Sequence, residues 1–199
     1  MIASIQAFLY QIALSFDLPI LDWIQANLTS DFMDKIMPVV THMGSAGSLI
    51  AIAVVLFLIP KTRKVGLGMA LAMAFGLLLC NVTLKPLIAR IRPYDMQAEL
   101  GVTIQLLIGE MHDFSFPSGH TIATFEAATV MMKNKKIVGI PCIILASLIA
   151  FSRLYLYVHY PTDVLVSVVL GIIFAFIGDW LAGLIAPLLA PKKRGKYEA

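Results

Sequence analysis

Lys85 and Arg92 stand seven residues apart, close to two helical turns, so an unbroken helix would present both on one side. Two fixed cations on one side suit a dianion such as phosphate, and the arginine adds a planar fork of donors. The plainer reading is a pair of snorkelling contacts to lipid headgroups. Arg90, about 140° round from Lys85, fits that plainer reading better. Pro117-Ser118-Gly119-His120 reads as a helix start. Ser118 is a good N-cap, Gly119 lets a ligand approach the backbone, and the free amides at the positive dipole end make an anion site. His120 in the first turn is placed to give a proton to a group leaving the anion. Arg153 adds a further cation after Ser152, and His159-Tyr-Pro-Thr-Asp163 adds an imidazole and a carboxylate. Pro161 breaks one helix and starts the next, which puts Asp163 in a first turn within reach of one His159 nitrogen. That contact fixes the tautomer and leaves the other nitrogen as acceptor or nucleophile. The alternative, a capping aspartate beside an interfacial histidine, is the better one only if no anion site lies nearby.

The elements that must position these groups are membrane helices. The 199-residue chain is 59% hydrophobic and only 14% charged, which excludes a soluble globular domain, a disordered chain and a coiled coil. A net charge of +3 does not signal nucleic acid, because the basic residues form short clusters between apolar runs and not one stripe. Cys80 and Cys142 lie inside apolar runs and read as small buried hydrophobes. The start, Met1-Ile-Ala-Ser-Ile, carries no signal-peptide pattern, and insertion through a first true span is expected.

Five runs are long or apolar enough to serve as spans: Ile36 to Pro60, Val65 to about Leu84, Ser118 to Met132, Ile137 to about Tyr157, and Asp163 to about Ala190. The expected fold is an all-α polytopic transmembrane bundle. Residues 1–31 form one or two amphipathic helices in the outer interface, with a sixth span as the alternative. Residues 32–190 form the membrane domain, and 191–199 a basic tail. Lys61, Arg63 and Lys64, then Lys133, Lys135 and Lys136, then Lys192, Lys193, Arg194 and Lys196 all fall on one face of a five-span bundle. The positive-inside rule makes that face cytoplasmic and the N-terminus external. Helical rise then carries Lys85, Arg153, His159, Ser118 and His120 to one level at the outer boundary.

Glu126 lies about 12 Å below the outer edge in the third run and 120° off the His120 face. It reads as a protonated, hydrogen-bonded structural group, with a proton or substrate channel as the alternative. His42 and the small residues after it read as helix packing, His112 as solvated, and Ile104 to Ile108 as part of a lid over the site.

Three stretches together resemble a known family. Lys85-x6-Arg92-Pro93, Pro117-Ser-Gly-His120 and Ser152-Arg153-x5-His159-x3-Asp163 match, in order, the signatures of the type 2 phosphatidic acid phosphatase superfamily, which also includes vanadium haloperoxidases. The resemblance implies that His159 attacks phosphorus, that Asp163 orients it and that His120 protonates the leaving oxygen. It also implies that Lys85, Arg92, Arg153, Ser118 and the Gly119 amide hold the phosphate oxygens, with neither metal nor cofactor.

The expected activity is a cell-membrane phosphatase acting at the extracellular or periplasmic face. Its partner is a lipid phosphate or diphosphate: undecaprenyl diphosphate first, then phosphatidylglycerol phosphate and phosphatidic acid. Two alternatives stand beside it. A lipid phosphotransferase would use the same motifs, whereas a transporter of an anionic substrate would place its polar groups at the midplane.

Overall fold

The computed structural model describes residues 2–189, and everything outside the loops and turns is helical. In chain order the helices are α1 (Ile2–Ile12), a π-helical turn (Ala13–Asp17), α2 (Leu18–Leu28), α3 (Asp31–Met43), α4 (Ala46–Leu58) and α5 (Arg63–Gly76). A π-helical segment (Leu77–Leu84) joins α5 to α6 (Lys85–Ile88). Then come α7 (Pro93–Glu99), α8 (Gly119–Asn134), α9 (Lys136–Tyr155) and α10 (Pro161–Ile185), closed by a short 3-10 turn (Ala186–Leu189).

The bundle is assembled around α8. Every residue from Thr121 to Val130 except Ala123 is buried there, against α5, α9 and α10. Small residues bring the backbones close, as expected where lipid supplies no hydrophobic drive between helices. A Cβ on Gly178 of α10 would sit 2.6 Å from the Ala72 nitrogen and the Gly68 oxygen of α5. Four helical stretches are long and apolar enough to cross a membrane, or five with α3 and α4 taken as one bent span. At 16 residues α8 falls short of that length, and the surrounding helices cover it instead.

The two ends of the bundle differ in charge. At one end Lys64 and Lys133 both pair with Asp179, at 3.5 and 3.1 Å, so the first two basic clusters converge. The third cluster and the 191–199 tail lie outside the described residues. At the opposite end α1 and α2 form a strap. Gln6 donates to Ile88, Asp17 meets Arg90 and Thr162, Asp22 meets Tyr157 and Gln97, and Gln25 donates to the Tyr155 carbonyl. These partners all belong to one end of the bundle although the strap is about 28 Å long between Gln6 and Gln25. The strap therefore runs across that end. Its Ser4–Leu28 stretch nevertheless has the length and composition of a span.

Two local expectations need correction. The run from Ile36 to Pro60 is not one straight helix: α3 and α4 meet at 47° across Gly44 and Ser45. The helix carrying Lys85 does not persist to Arg92 either. It loosens into the π segment, ends at Ile88, and turns at Ala89, whose φ of 49° is left-handed.

Candidate active site

The broken chain after Lys85 still brings its cations together. Lys85 and Arg92 are 7% and 2% exposed, and both reach the Asp113 carboxylate from the loop before α8. Arg92 Nη2 donates to Asp113 Oδ1 at 2.5 Å, its Nε to the Asp113 carbonyl at 2.9 Å, and its Nη1 to the Val158 carbonyl at 2.6 Å. Lys85 Nζ pairs with Asp113 Oδ2. The two cations hold the Asp113 carboxyl at about 2, below the usual carboxylate range, against the opposing effect of burial.

Arg153 comes from the last turn of α9 and is 1% exposed. Its Nη1 donates to Thr41 Oγ1 at 2.6 Å, next to the α3–α4 break. Among the described residues its Nε has no hydrogen-bond partner. A buried guanidinium edge left open in this way is a donor for an incoming anion.

His159 lies in the loop between α9 and α10, 2% exposed, with Arg92 Nη1 3.5 Å from its Nε2. On its other side Asp163 Oδ2 is 3.6 Å from Nδ1. Pro161 starts α10 as read from the sequence, and Asp163 caps it by accepting from the Tyr160 amide at 3.1 Å. Burial first, then the Arg92, Arg153 and Lys85 charges, push the His159 imidazole well below its ordinary pKa. It is therefore neutral near pH 7, with a lone pair on the nitrogen that faces the cations.

One cavity of about 460 Å³ has Lys85, Arg92, Asp113, Gly119, His120, Arg153 and His159 in its wall. The three sequence stretches thus meet at one place. Gly119 opens α8 beside Asn81, whose Oδ1 would stand 3.2 Å from a Cβ there. Ser118 is the exception. It is fully buried behind the wall, its amide donates to Ser167 Oγ at 2.8 Å, and its hydroxyl accepts from Thr121 Oγ1 at 3.0 Å. It occupies the N-cap position without a side-chain cap.

Three participants escape sequence reasoning. Arg90, set aside above as a headgroup contact, donates to Asp163 Oδ1 at 2.5 Å and to Asp17 Oδ2 at 2.7 Å, and stacks 3.8 Å over the Tyr160 ring. Ser115 donates to Asp163 Oδ2 at 2.5 Å and lies 3.5 Å from His159 Nδ1. Asp113, a loop residue outside the three motifs, enters the cation cluster. Asp17, a carboxylate that directly follows the apolar stretch Ile2 to Phe16, is the sequence signal for such an ion pair. Ile104, Leu106 and Ile108 pack into the apolar cluster that also holds Leu21, Ile24 and Tyr155, so they do not cover the cavity as a lid.

A helical membrane bundle with a buried histidine–carboxylate pair facing a cluster of cations defines a phosphoryl-handling membrane protein. The sequence profile of the PAP2 superfamily matches residues 61–182, and the chain belongs to that family. It is a multi-spanning membrane phosphatase of this type. It is 31% identical over 158 residues to the undecaprenyl-diphosphatase BcrC of Bacillus subtilis, covering 79% of each chain. The crystal structure of LpxE from Aquifex aeolicus matches with a TM-score of 0.72 and 28% identity, over 82% of this chain and 94% of that one. The crystal structure of a transmembrane PAP2-type phosphatidylglycerolphosphate phosphatase from Bacillus subtilis matches with a TM-score of 0.66 and 26% identity, over 97% and 98%.

Proposed function

We propose that the protein removes a phosphate from a lipid phosphate or diphosphate through a phosphohistidine on His159, without a metal. The observation that carries this reading is the shared cavity, in which both histidines and the Lys85, Arg92 and Arg153 cations form one wall. His159 Nε2 attacks phosphorus while its Nδ1 faces Asp163. The bond from phosphorus to the lipid oxygen breaks, and His120 gives that oxygen a proton. His120 then takes a proton from water, whose oxygen attacks the phosphohistidine and releases phosphate and the free imidazole. Lys85, Arg92, Arg153 and the Gly119 amide stabilise the charge on the transferring group. Ser118 acts one step back, by holding the start of α8.

The converging basic clusters support a cytoplasmic position for the Asp179 end, and so an external site with the 1–31 strap in the outer interface. Undecaprenyl diphosphate, phosphatidylglycerol phosphate and phosphatidic acid are the substrates to compare. Purified protein in detergent with EDTA is incubated with each lipid, and free phosphate is measured beside His159→Ala. Release by the wild type and loss in the variant are expected. Equal release from both would remove His159 from its role, and loss of activity in EDTA would remove the metal-free mechanism. Lipid masses of the products separate hydrolysis from transfer to a second lipid.

A further inference from the structure

The catalytic wall accounts for only part of the cavity. The remainder runs between α4, α5 and α8, past Ile50, Val54, Met73 and Leu77, and reaches Glu126. Glu126 is 1% exposed, and among the described residues its Oε1 has no hydrogen-bond partner and no ion pair. The surrounding backbone makes room for it. A Cβ on Gly76 would lie 2.4 Å from Oε1, so only glycine at the end of α5 leaves the carboxyl its place. An unpartnered buried polar atom costs about 1–3 kcal/mol. Oε1 lies against the Gly76 backbone, and the same carboxyl group stands in the wall of a cavity otherwise lined here by apolar side chains, so an entering polar group can meet it there.

Resting on the lipid phosphatase reading above, we propose that Glu126 is a specificity residue that hydrogen-bonds an oxygen of the lipid's polar linker. A carboxyl group accepts a hydrogen bond in either protonation state and donates one when protonated. The complementary group is thus a hydroxyl or an ester carbonyl. The position sets the depth at which that oxygen is met. Six residues of α8 separate Glu126 from His120, about 9 Å along the helix. A glycerolipid phosphate carries ester and hydroxyl oxygens at that range from the transferred phosphorus. An isoprenoid diphosphate carries only hydrocarbon there, and leaves the carboxyl without a partner. Glu126 thus favours glycerolipid phosphates over the isoprenoid diphosphate placed first from the sequence.

The test compares phosphatidylglycerol phosphate with farnesyl diphosphate in the same detergent, using wild type, Glu126→Gln and Glu126→Leu. Glu126→Leu is expected to lower kcat/KM for phosphatidylglycerol phosphate about tenfold, mainly through KM. One hydrogen bond of about 1.4 kcal/mol corresponds to that factor. Farnesyl diphosphate should change less than twofold, and Glu126→Gln should retain most of the glycerolipid activity. Equal losses on both lipids would assign Glu126 to folding or proton movement and overturn the proposal. No change on either would mean that the carboxyl meets only water, and would overturn it too. A wild type active on farnesyl diphosphate but not on the glycerolipid defeats this inference and leaves the phosphatase reading intact. A wild type that acts on neither of these, nor on undecaprenyl diphosphate or phosphatidic acid, defeats both. If Glu126→Leu fails to fold, Glu126→Met, close to the carboxyl in length but without its hydrogen bonds, takes its place: a fall in its glycerolipid-to-isoprenoid ratio against wild type supports the proposal and an unchanged ratio overturns it.

Discussion

Arg90 Nη1 reaches Asp163 Oδ1 at 2.5 Å, and through this contact the N-terminal strap is joined to the carboxylate beside His159. The same guanidinium holds Asp17, and Asp17 also accepts from the Thr162 amide at 3.0 Å. Asp17 and Asp163 are both fully buried and share one cation. Arg90→Ala leaves two uncompensated carboxylates and is expected to destabilise the protein by about 3–5 kcal/mol. A lowered thermal midpoint in detergent checks this.

Asp17→Asn keeps the shape and removes one charge, so Arg90 loses its hold on the strap side. The expected result is a folded protein whose kcat falls up to about 100-fold while KM changes little, because under the proposed function a misplaced His159 acts on the chemical step. Steady-state kinetics on a lipid phosphate separate the two parameters. An unchanged kcat would confine Asp17 to anchoring the strap.

Asp113 pairs with Lys85 and Arg92, the cations that the proposed function assigns to phosphate. Under that reading its carboxylate competes with substrate and with released phosphate. Asp113→Asn is expected to tighten competitive inhibition by inorganic phosphate roughly two- to fivefold, the range of an exposed charge pair. Because the carboxyl is held at about 2, the competition persists down to low pH and relaxes only as pH approaches that value. Weaker phosphate inhibition in Asp113→Asn would make Asp113 a support for the cations and not a competitor.

His159 gives a stability prediction with a definite sign. Its folded pKa lies well below the unfolded value of about 6.5, so below that pH the unfolded chain binds a proton that the folded chain refuses. Stability is fully present above about pH 6.5 and is lost as pH falls, by up to about 1.4 kcal/mol per pH unit. His159→Gln should flatten the fall in thermal midpoint between pH 6.5 and 5 relative to wild type.

Gly178→Ala tests the packing of α5 on α10. The added methyl would meet backbone atoms of Gly68 and Ala72 at 2.6 Å, and backbone cannot yield as a side chain can. A cost of about 1–3 kcal/mol is expected, with activity per folded molecule retained.

The sequence made the apolar runs and the reactive positions legible for physical reasons. Membrane helices must be long and apolar, and Pro161 and Pro117 punctuate the chain beside His159 and His120. Hidden were the features that depend on tertiary contact. The π segment at Leu77–Leu84 and the left-handed Ala89 leave no periodic mark, yet Lys85 and Arg92 still converge because both follow Asp113. Arg90 looked like a headgroup contact because its two carboxylates lie 73 residues away on either side. Ser118 differs: its type fits an N-cap and an oxygen ligand, and only the fold shows it buried, with its hydroxyl accepting from Thr121.

The seam between α4 and α5 carries exposed Ile50, Val54 and Leu77 on the flank of the cavity. Under the proposed function, a lipid entering there slides in from the bilayer plane and never lifts its chains into water. Turnover would then follow the mole fraction of substrate in the surrounding lipid or micelle, and diluting it with inert detergent would slow the reaction at constant bulk concentration.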